Sequence, residues 1–456
     1  MVFNSNVFLF AFLPVVFASF WLSRTKQQRY LLLTVAGYVF YGYWDWRFCF
    51  LLLFSSLVSF LAALLIQRST RPASRRTWMT LSIAVDLALL GFFKYYNFFA
   101  SSLHTVIPSV APPLLDIVLP IGISFYTFHT ISYIVDVTTG RITATSNLFE
   151  YLTYVSLFSQ LVAGPIVRFR EIEDDLEHID ARPREDFMAR GLGFFVVGLI
   201  KKAVIADSIA TYLDPLLASY GTLTTAGAWI AALGYTFQLY YDFSGYSDMA
   251  VGLGYLFGLH IPKNFDAPYR ALNLRDFWRR WHISLSSWLR DYLYIPLGGS
   301  RLGAARTNVN LMVTMLLGGL WHGANWTFIV WGAYHGVLLI VDRALDPTLA
   351  KLPGLLRRLI TFVLVVFSWV LFRSTSLDMA GHWAARMLGI GTGSQSAPTA
   401  LVVLVAMCFI AVNIVPETWD IRFGTRYRWA PIYAIGLFLA YLFVNGRNSV
   451  FLYYQF

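Results

Sequence analysis

Between Arg306 and Asp342 lie 35 consecutive residues without Asp, Glu, Lys or Arg, and His322 sits among them, 16 residues from the first charge and 20 from the second. An ionisable side chain that deep in an apolar run is costly and by default marks function. Imidazole is also the side chain best poised for proton transfer near neutral pH. The competing reading is a histidine that only hydrogen-bonds a neighbouring helix; glycines on both sides and Asn325 one turn on favour chemistry. His282, 40 residues earlier, follows Trp281 with Ser286 one turn on, and taken alone it reads as a surface histidine. His335 stands 13 positions past His322, about 220° round a continuous helix, so a separate face and a structural role are expected for it. His129 could line the same cavity, though a structural role is favoured; His104, His178, His260 and His382 carry no signal. In the polar run Gln238–Asp248, Asp242 or Asp248 either orients a histidine and lines a route for a polar acceptor, or satisfies broken backbone and pairs with an arginine. There is no G-x-S-x-G elbow, H-E-x-x-H pair or Walker loop, and no Cys/His cluster with zinc spacing, so no metal is expected.

The elements that must position these residues belong in a bilayer. Apolar residues make up 57% of the 456 and charged residues 13%, against about a quarter charged in soluble domains. Aromatic residues at 17% exclude disorder. The balance of 35 basic to 25 acidic residues, +10, fits Lys/Arg in cytoplasmic loops beside anionic lipid and not a nucleic-acid partner. Cys49 and Cys408 lie in apolar runs and indicate no disulfide framework. Met1 to Asn6 is uncharged, the apolar run Val7–Leu22 follows, and Arg24, Lys26 and Arg29 come after it. That order is the reverse of a secretory signal and predicts an uncleaved first span with its N-terminus outside. Arg68, Arg71, Arg75 and Arg76 form a second basic loop on the same side, two spans later.

The chain reads as one membrane-embedded domain over 1–456, with about ten to twelve spans of about 20 residues each and re-entrant pieces around a cavity. Ala226–Tyr241 and Met249–His260 read as separate spans flanking the polar run. The uncharged stretch, residues 309–341 at its apolar core, would reach about 52 Å as one helix against a hydrocarbon core of about 30 Å. It is therefore expected to break at Gly318-Gly319-Leu320-Trp321-His322-Gly323. Backbone breaks such as Pro120-Ile121-Gly122 and Gly164-Pro165 are tolerated at depth only against protein or a wet cavity. Residues 168–190 read as a solvated surface helix and loop. Residues 262–308 interleave basic residues with Trp278, Trp281 and Trp288; Trp281, Leu285, Trp288 and Tyr292 fall on one helical face. This predicts an interfacial helix with tryptophans in the acyl boundary, its arginines either anchoring or receiving a phosphate-bearing donor. No internal repeat is visible, which weakens an inverted-repeat transporter.

Several blocks then resemble the membrane-bound O-acyltransferase superfamily: Leu119–Phe128, Gln160–Ile166, Asn264–Tyr269, Asp276–Ser286 and Gly319–Trp326, with the opening Met1–Phe10 most similar to the alginate O-acetylating branch. The resemblance implies an all-α polytopic bundle around a central tunnel, a catalytic His322 and a second motif residue at His282. It implies transfer of an acetyl group from a cytoplasmic thioester, acetyl-CoA, to a periplasmic partner protein that esterifies an exported polysaccharide at the inner membrane. On that reading His322 takes the hydroxyl proton, or carries the acetyl group itself as acetyl-imidazole, while His282 positions or polarises the thioester carbonyl. Lys263, Arg279 and Arg280 would meet the donor phosphates, and Asn325, Asp242 and Asp248 would line the tunnel. The alternatives are a peptidoglycan, cellulose or lipid acceptor, a carrier-protein donor, a polymer or acyl transporter using His322 as a proton relay, and a non-catalytic scaffold.

Overall fold

Apolar runs punctuated by Gly, Pro and Asn caps give helices and the connections between them. The computed structural model describes residues 1–181, 185–424 and 429–446. Among these residues all regular structure is helical; there is no strand, only an isolated bridge between Leu223 and Gln395. Among the described residues, four helices are long and apolar enough to cross a membrane: Arg47–Arg68, Pro72–Val106, Trp326–Leu349 and Gly354–Arg373. Shorter apolar helices include Phe8–Leu22 and Thr399–Ile414. The expected ten to twelve spans are therefore not reached by length and apolarity. One reason is that long helices carry polar residues inside the protein.

The chain gathers into two compact units. The first comprises Met1–Val196, Tyr246–Pro262 and Phe423–Ala434; the second comprises Val197–Gly245, Lys263–Arg422 and, of the described residues, 435–446. Within the first unit, Thr25 and Gln28 form a reciprocal capping box at the start of the helix Lys26–Gly42. The Pro120–Gly122 break is covered by protein: Gly122 has φ +78°, and a Cβ there would lie 2.5 Å from the Leu161 carbonyl oxygen. Two of the quoted blocks thus pack on one another, which is how non-helical backbone survives away from water. The polar segment 168–190 contains the helix Phe169–Glu177, which buries Phe169, Ile172 and Leu176; residues 182–184 lie outside the described residues.

The second unit corrects three expectations. Thr225–Leu256 is one helix of 32 residues, not two spans, with Tyr246 onward belonging to the first unit. Its polar run is buried, with Gln238 4%, Asp242 1%, Ser244 1%, Ser247 2% and Asp248 6% exposed. The interfacial segment is not one amphipathic helix. It splits into Leu274–Arg280 and Ile283–Leu289, because His282 adopts the left-handed region at φ 44°. Trp281, Leu285 and Trp288 are buried in protein rather than facing outward, so hydrophobic packing and not the acyl boundary takes up this face.

The uncharged stretch folds as a hairpin of two helices, Gly303–His322 and Trp326–Leu349, each of about 30 Å or more. The break falls at residues 323–325, later than expected. Gly318 and Gly319 stay helical. A Cβ at Gly319 would run into the Phe328 carbonyl oxygen, and one at Gly332 into that of Met315. These glycines therefore allow two backbones to approach closely. The turn is set by Asn325, whose Oδ1 accepts from the Thr327 backbone N–H at 2.9 Å and caps the second helix. Arg275 bridges to Asp342 (3.2 Å) and Asp346 (2.8 Å) at the far end of that helix.

Candidate active site: two histidines packed on one tryptophan

His322 is the last residue of the first hairpin helix and 6% exposed. Its ring packs edge-on against Trp321 (5.0 Å between centroids), Trp331 (5.2 Å) and Phe372 (5.1 Å). Trp331 reaches it because the hairpin returns the chain on itself. Helix Gly354–Arg373 supplies Phe372.

His282 also packs on Trp321, with ring centroids 6.2 Å apart. It is fully buried, which overturns its reading as a surface histidine. Between the two short helices His282 takes positive φ, which is uncommon and strained for a residue with a Cβ. Asn264 holds it there. The Asn264 main-chain oxygen accepts from the Ile283 N–H at 2.9 Å. Its Oδ1 accepts from the Ser284 N–H at 3.1 Å and the Ser284 hydroxyl at 2.9 Å, and lies 3.2 Å from His282 Nδ1. Phe243 packs edge-on to the imidazole at 4.6 Å. Burial pushes the His282 imidazolium down to about 3, so the ring is neutral in the resting protein. A carbonyl-polarising role would need the hydrogen on Nε2, whereas the Asn264 contact places it on Nδ1.

His335 sits on the second helix of the hairpin and joins the aromatic cluster through Trp331, so the angle round one continuous helix does not apply to it. Trp331 lies 4.8 Å from it, and the Trp278 indole N–H donates to His335 Nδ1 at 3.3 Å. The other expected site residues are placed as follows. Asn325 serves as the helix cap, and its side-chain amide donates to the Thr375 carbonyl at 3.0 Å. Asp242 pairs with buried Lys202 at 2.8 Å, a lysine where an arginine was expected. Asp248 falls in the first unit, as does His129, whose ring packs on Tyr154. Of the three basic residues expected at the donor phosphates, Lys263 is paired with Asp266 at 2.7 Å, and Arg280 with Asp276 at 2.8 Å. Arg279 is exposed. Asn264, Trp321 and Trp331 were not singled out from sequence. Asn264 acts across 18 residues, a separation at which no local pattern signals a partner.

Comparison with known proteins gives the family of the chain. A model of the membrane-bound O-acyltransferase (MBOAT) family matches residues 140–380. The chain is 48% identical to the probable alginate O-acetylase AlgI of Azotobacter vinelandii, over 87% of this chain and 80% of that one. It is 47% identical to the probable alginate O-acetylase AlgI of Pseudomonas aeruginosa (87% and 76% covered). Identity to the peptidoglycan O-acetyltransferase of Helicobacter pylori is 37% (86% and 80%). The protein therefore belongs to the membrane-bound O-acyltransferase family, as a multi-pass, all-helical O-acyltransferase.

Proposed function

We propose that this O-acyltransferase moves an acetyl group from a cytoplasmic thioester, acetyl-CoA, across the bacterial inner membrane for O-acetylation of an exported polysaccharide, alginate first among the candidates. A periplasmic partner protein receives the group. The names of the relatives at 48% and 47% identity support the alginate assignment. The observation that carries the chemistry is the buried His322 at a helix C-terminus, with a second buried imidazole one tryptophan away.

The transfer needs one proton moved. The hydroxyl oxygen bonds to the acetyl carbon, the carbon–sulfur bond breaks, and the hydroxyl proton passes through an imidazole to the leaving thiolate. The negative end of the dipole of the helix Gly303–His322 stabilises positive charge forming at that position during the transfer. The aromatic wall of Trp321, Trp331 and Phe372 keeps water from the thioester. A central tunnel would bring donor and acceptor to this pair from opposite faces. Arg279, exposed on the short helix before His282, is the basic residue best placed to meet the donor phosphates. The N-terminus is assigned to the periplasm on the charge order of the first two loops.

The test is the acetyl ester content of exported polymer in a host lacking its own O-acetylase. His322→Ala is expected to abolish the ester while the protein accumulates at the wild-type level. Ester at the wild-type level would end the proposal. A peptidoglycan acceptor is the second reading, favoured by the 37% identical Helicobacter pylori relative. Ester on muropeptides and none on polymer would select it.

A further inference from the structure

Between the membrane-length helices Trp326–Leu349 and Gly354–Arg373, the connection and the first turn of the second helix carry Lys351, Arg357 and Arg358 and no acid. The charge rule assigns this end to the cytoplasmic side. Here Leu338 and Val341 of the first helix and Ile360 and Leu364 of the second line a cavity of about 60 Å³, together with Leu274. One water needs only about 10–15 Å³. Val341 and Ile360 are 42% and 37% exposed, so the cavity opens at the protein surface, among the exposed apolar side chains of Leu345, Leu355 and Leu359. Its charged lining residues are Asp342 and Arg357. Asp342 is engaged by Arg275 at 3.2 Å. Arg357 is not: its buried Nε–H has no acceptor among the described residues. Arg358 beside it donates to neutral oxygens, the Tyr269 carbonyl at 3.2 Å and Asn413 Oδ1. The first turn of their helix has no acid and no side-chain cap, and the helix dipole is positive at that end.

We propose that this groove is a binding site for an anionic phospholipid of the cytoplasmic leaflet, its phosphate on Arg357 and part of one acyl chain between the two helices. Basic pockets between membrane helices on the cytoplasmic side suit such headgroups. The guanidinium fork matches phosphate oxygens and supplies the missing acceptor for the Arg357 N–H. The apolar lining selects the source of that phosphate, because it gains from a chain of methylenes and nothing from a free phosphate. The bound lipid offsets the positive charge gathered at the helix N-terminus and fills the space between the helices. Those same helices carry Trp331 and Phe372, near their other ends, against the ring of His322. A ligand that joins them stabilises the folded protein as a whole.

The experiment titrates delipidated full-length protein in detergent with dioleoyl phosphatidylglycerol, read by native mass spectrometry and by melting temperature. Phosphatidylglycerol is expected to bind about tenfold or more tighter than dioleoyl phosphatidylcholine and to raise the melting temperature. Arg357→Gln should weaken binding about tenfold or more, since it deletes the charged hydrogen bond to phosphate. Arg357→Lys, which keeps the charge and loses the fork, should recover part of that loss. Val341→Phe fills the mouth of the groove from an exposed position and should weaken binding as well. Arg301→Gln removes an exposed arginine outside the groove and should leave binding unchanged, which separates a seated lipid from general attraction to basic loops. Excess inorganic phosphate or coenzyme A should leave the lipid in place. Equal affinity for the two lipids overturns the inference, as does wild-type affinity in Arg357→Gln or Val341→Phe, or an equal loss in Arg301→Gln. Displacement by coenzyme A also overturns it and makes the groove a donor-phosphate site.

Discussion

Lys202 Nζ lies 2.7 Å from Asp207 and 2.8 Å from Asp242, and all three side chains are 6% exposed or less. Two buried carboxylates sharing one ammonium explain Asp242 without a role in the reaction: its charge is compensated within the protein. A buried cation of this kind adds little net stability, yet removing it leaves carboxylates with less compensation than their burial requires. Lys202→Met is therefore expected to lower unfolding free energy by about 3–5 kcal/mol, read as a fall in melting temperature in detergent. Unchanged stability would show that the carboxylates are protonated or paired otherwise. The sequence made Asp242 conspicuous but not its partner, since Lys202 sits 40 positions earlier on a different helix. His282 shows the same limit. Its type and its motif drew attention, while its burial and its tautomer depend on Asn264, 18 residues away in another motif block.

The hairpin depends on the spacing of its two helices. Gly319 and Gly332 each face a backbone carbonyl of the other helix, so a side chain at either position meets atoms that cannot rotate away. Gly319→Ala is expected to destabilise the protein by about 1–3 kcal/mol and to lower transfer further than that loss accounts for. The reason is that Trp331, on the displaced helix, packs directly on His322. Parallel thermal melts and ester assays check this; wild-type transfer would mean the hairpin tip is insensitive to helix separation. Glycine was read from sequence as a helix breaker here. Both readings use its missing Cβ, and only the presence of a second backbone at contact distance decides between them.

At the scale of the molecule, two of the arginines counted toward membrane orientation also hold structure. The Arg29 guanidinium lies over Phe20 at 4.7 Å and donates to the Ile179 carbonyl. Arg75 donates to the Val137 and Thr138 carbonyls, at 3.1 and 3.0 Å, at the end of the helix Ile123–Thr138. The first basic loop is thereby tied to the 168–190 segment, which should share its side of the membrane. In a background with Cys49 and Cys408 replaced, Asn6→Cys is expected to react with an impermeant maleimide added outside intact spheroplasts. Asp180→Cys should react only after lysis. Labelling of Asp180→Cys from outside would reverse the proposed orientation.

What the sequence determined by itself is what local composition can encode: a helical membrane chain, a histidine isolated from charge, and the motif blocks that name its family. Apolar content and charge spacing act within a few turns of chain, so they are legible in one dimension. The tertiary structure alone decided that the uncharged run folds back as a hairpin, that the polar run lies inside one helix, and that His282 and His322 both pack on Trp321. Each of these rests on contacts between distant segments, where a single hydrogen bond or a missing Cβ outweighs the local preference of the residue concerned.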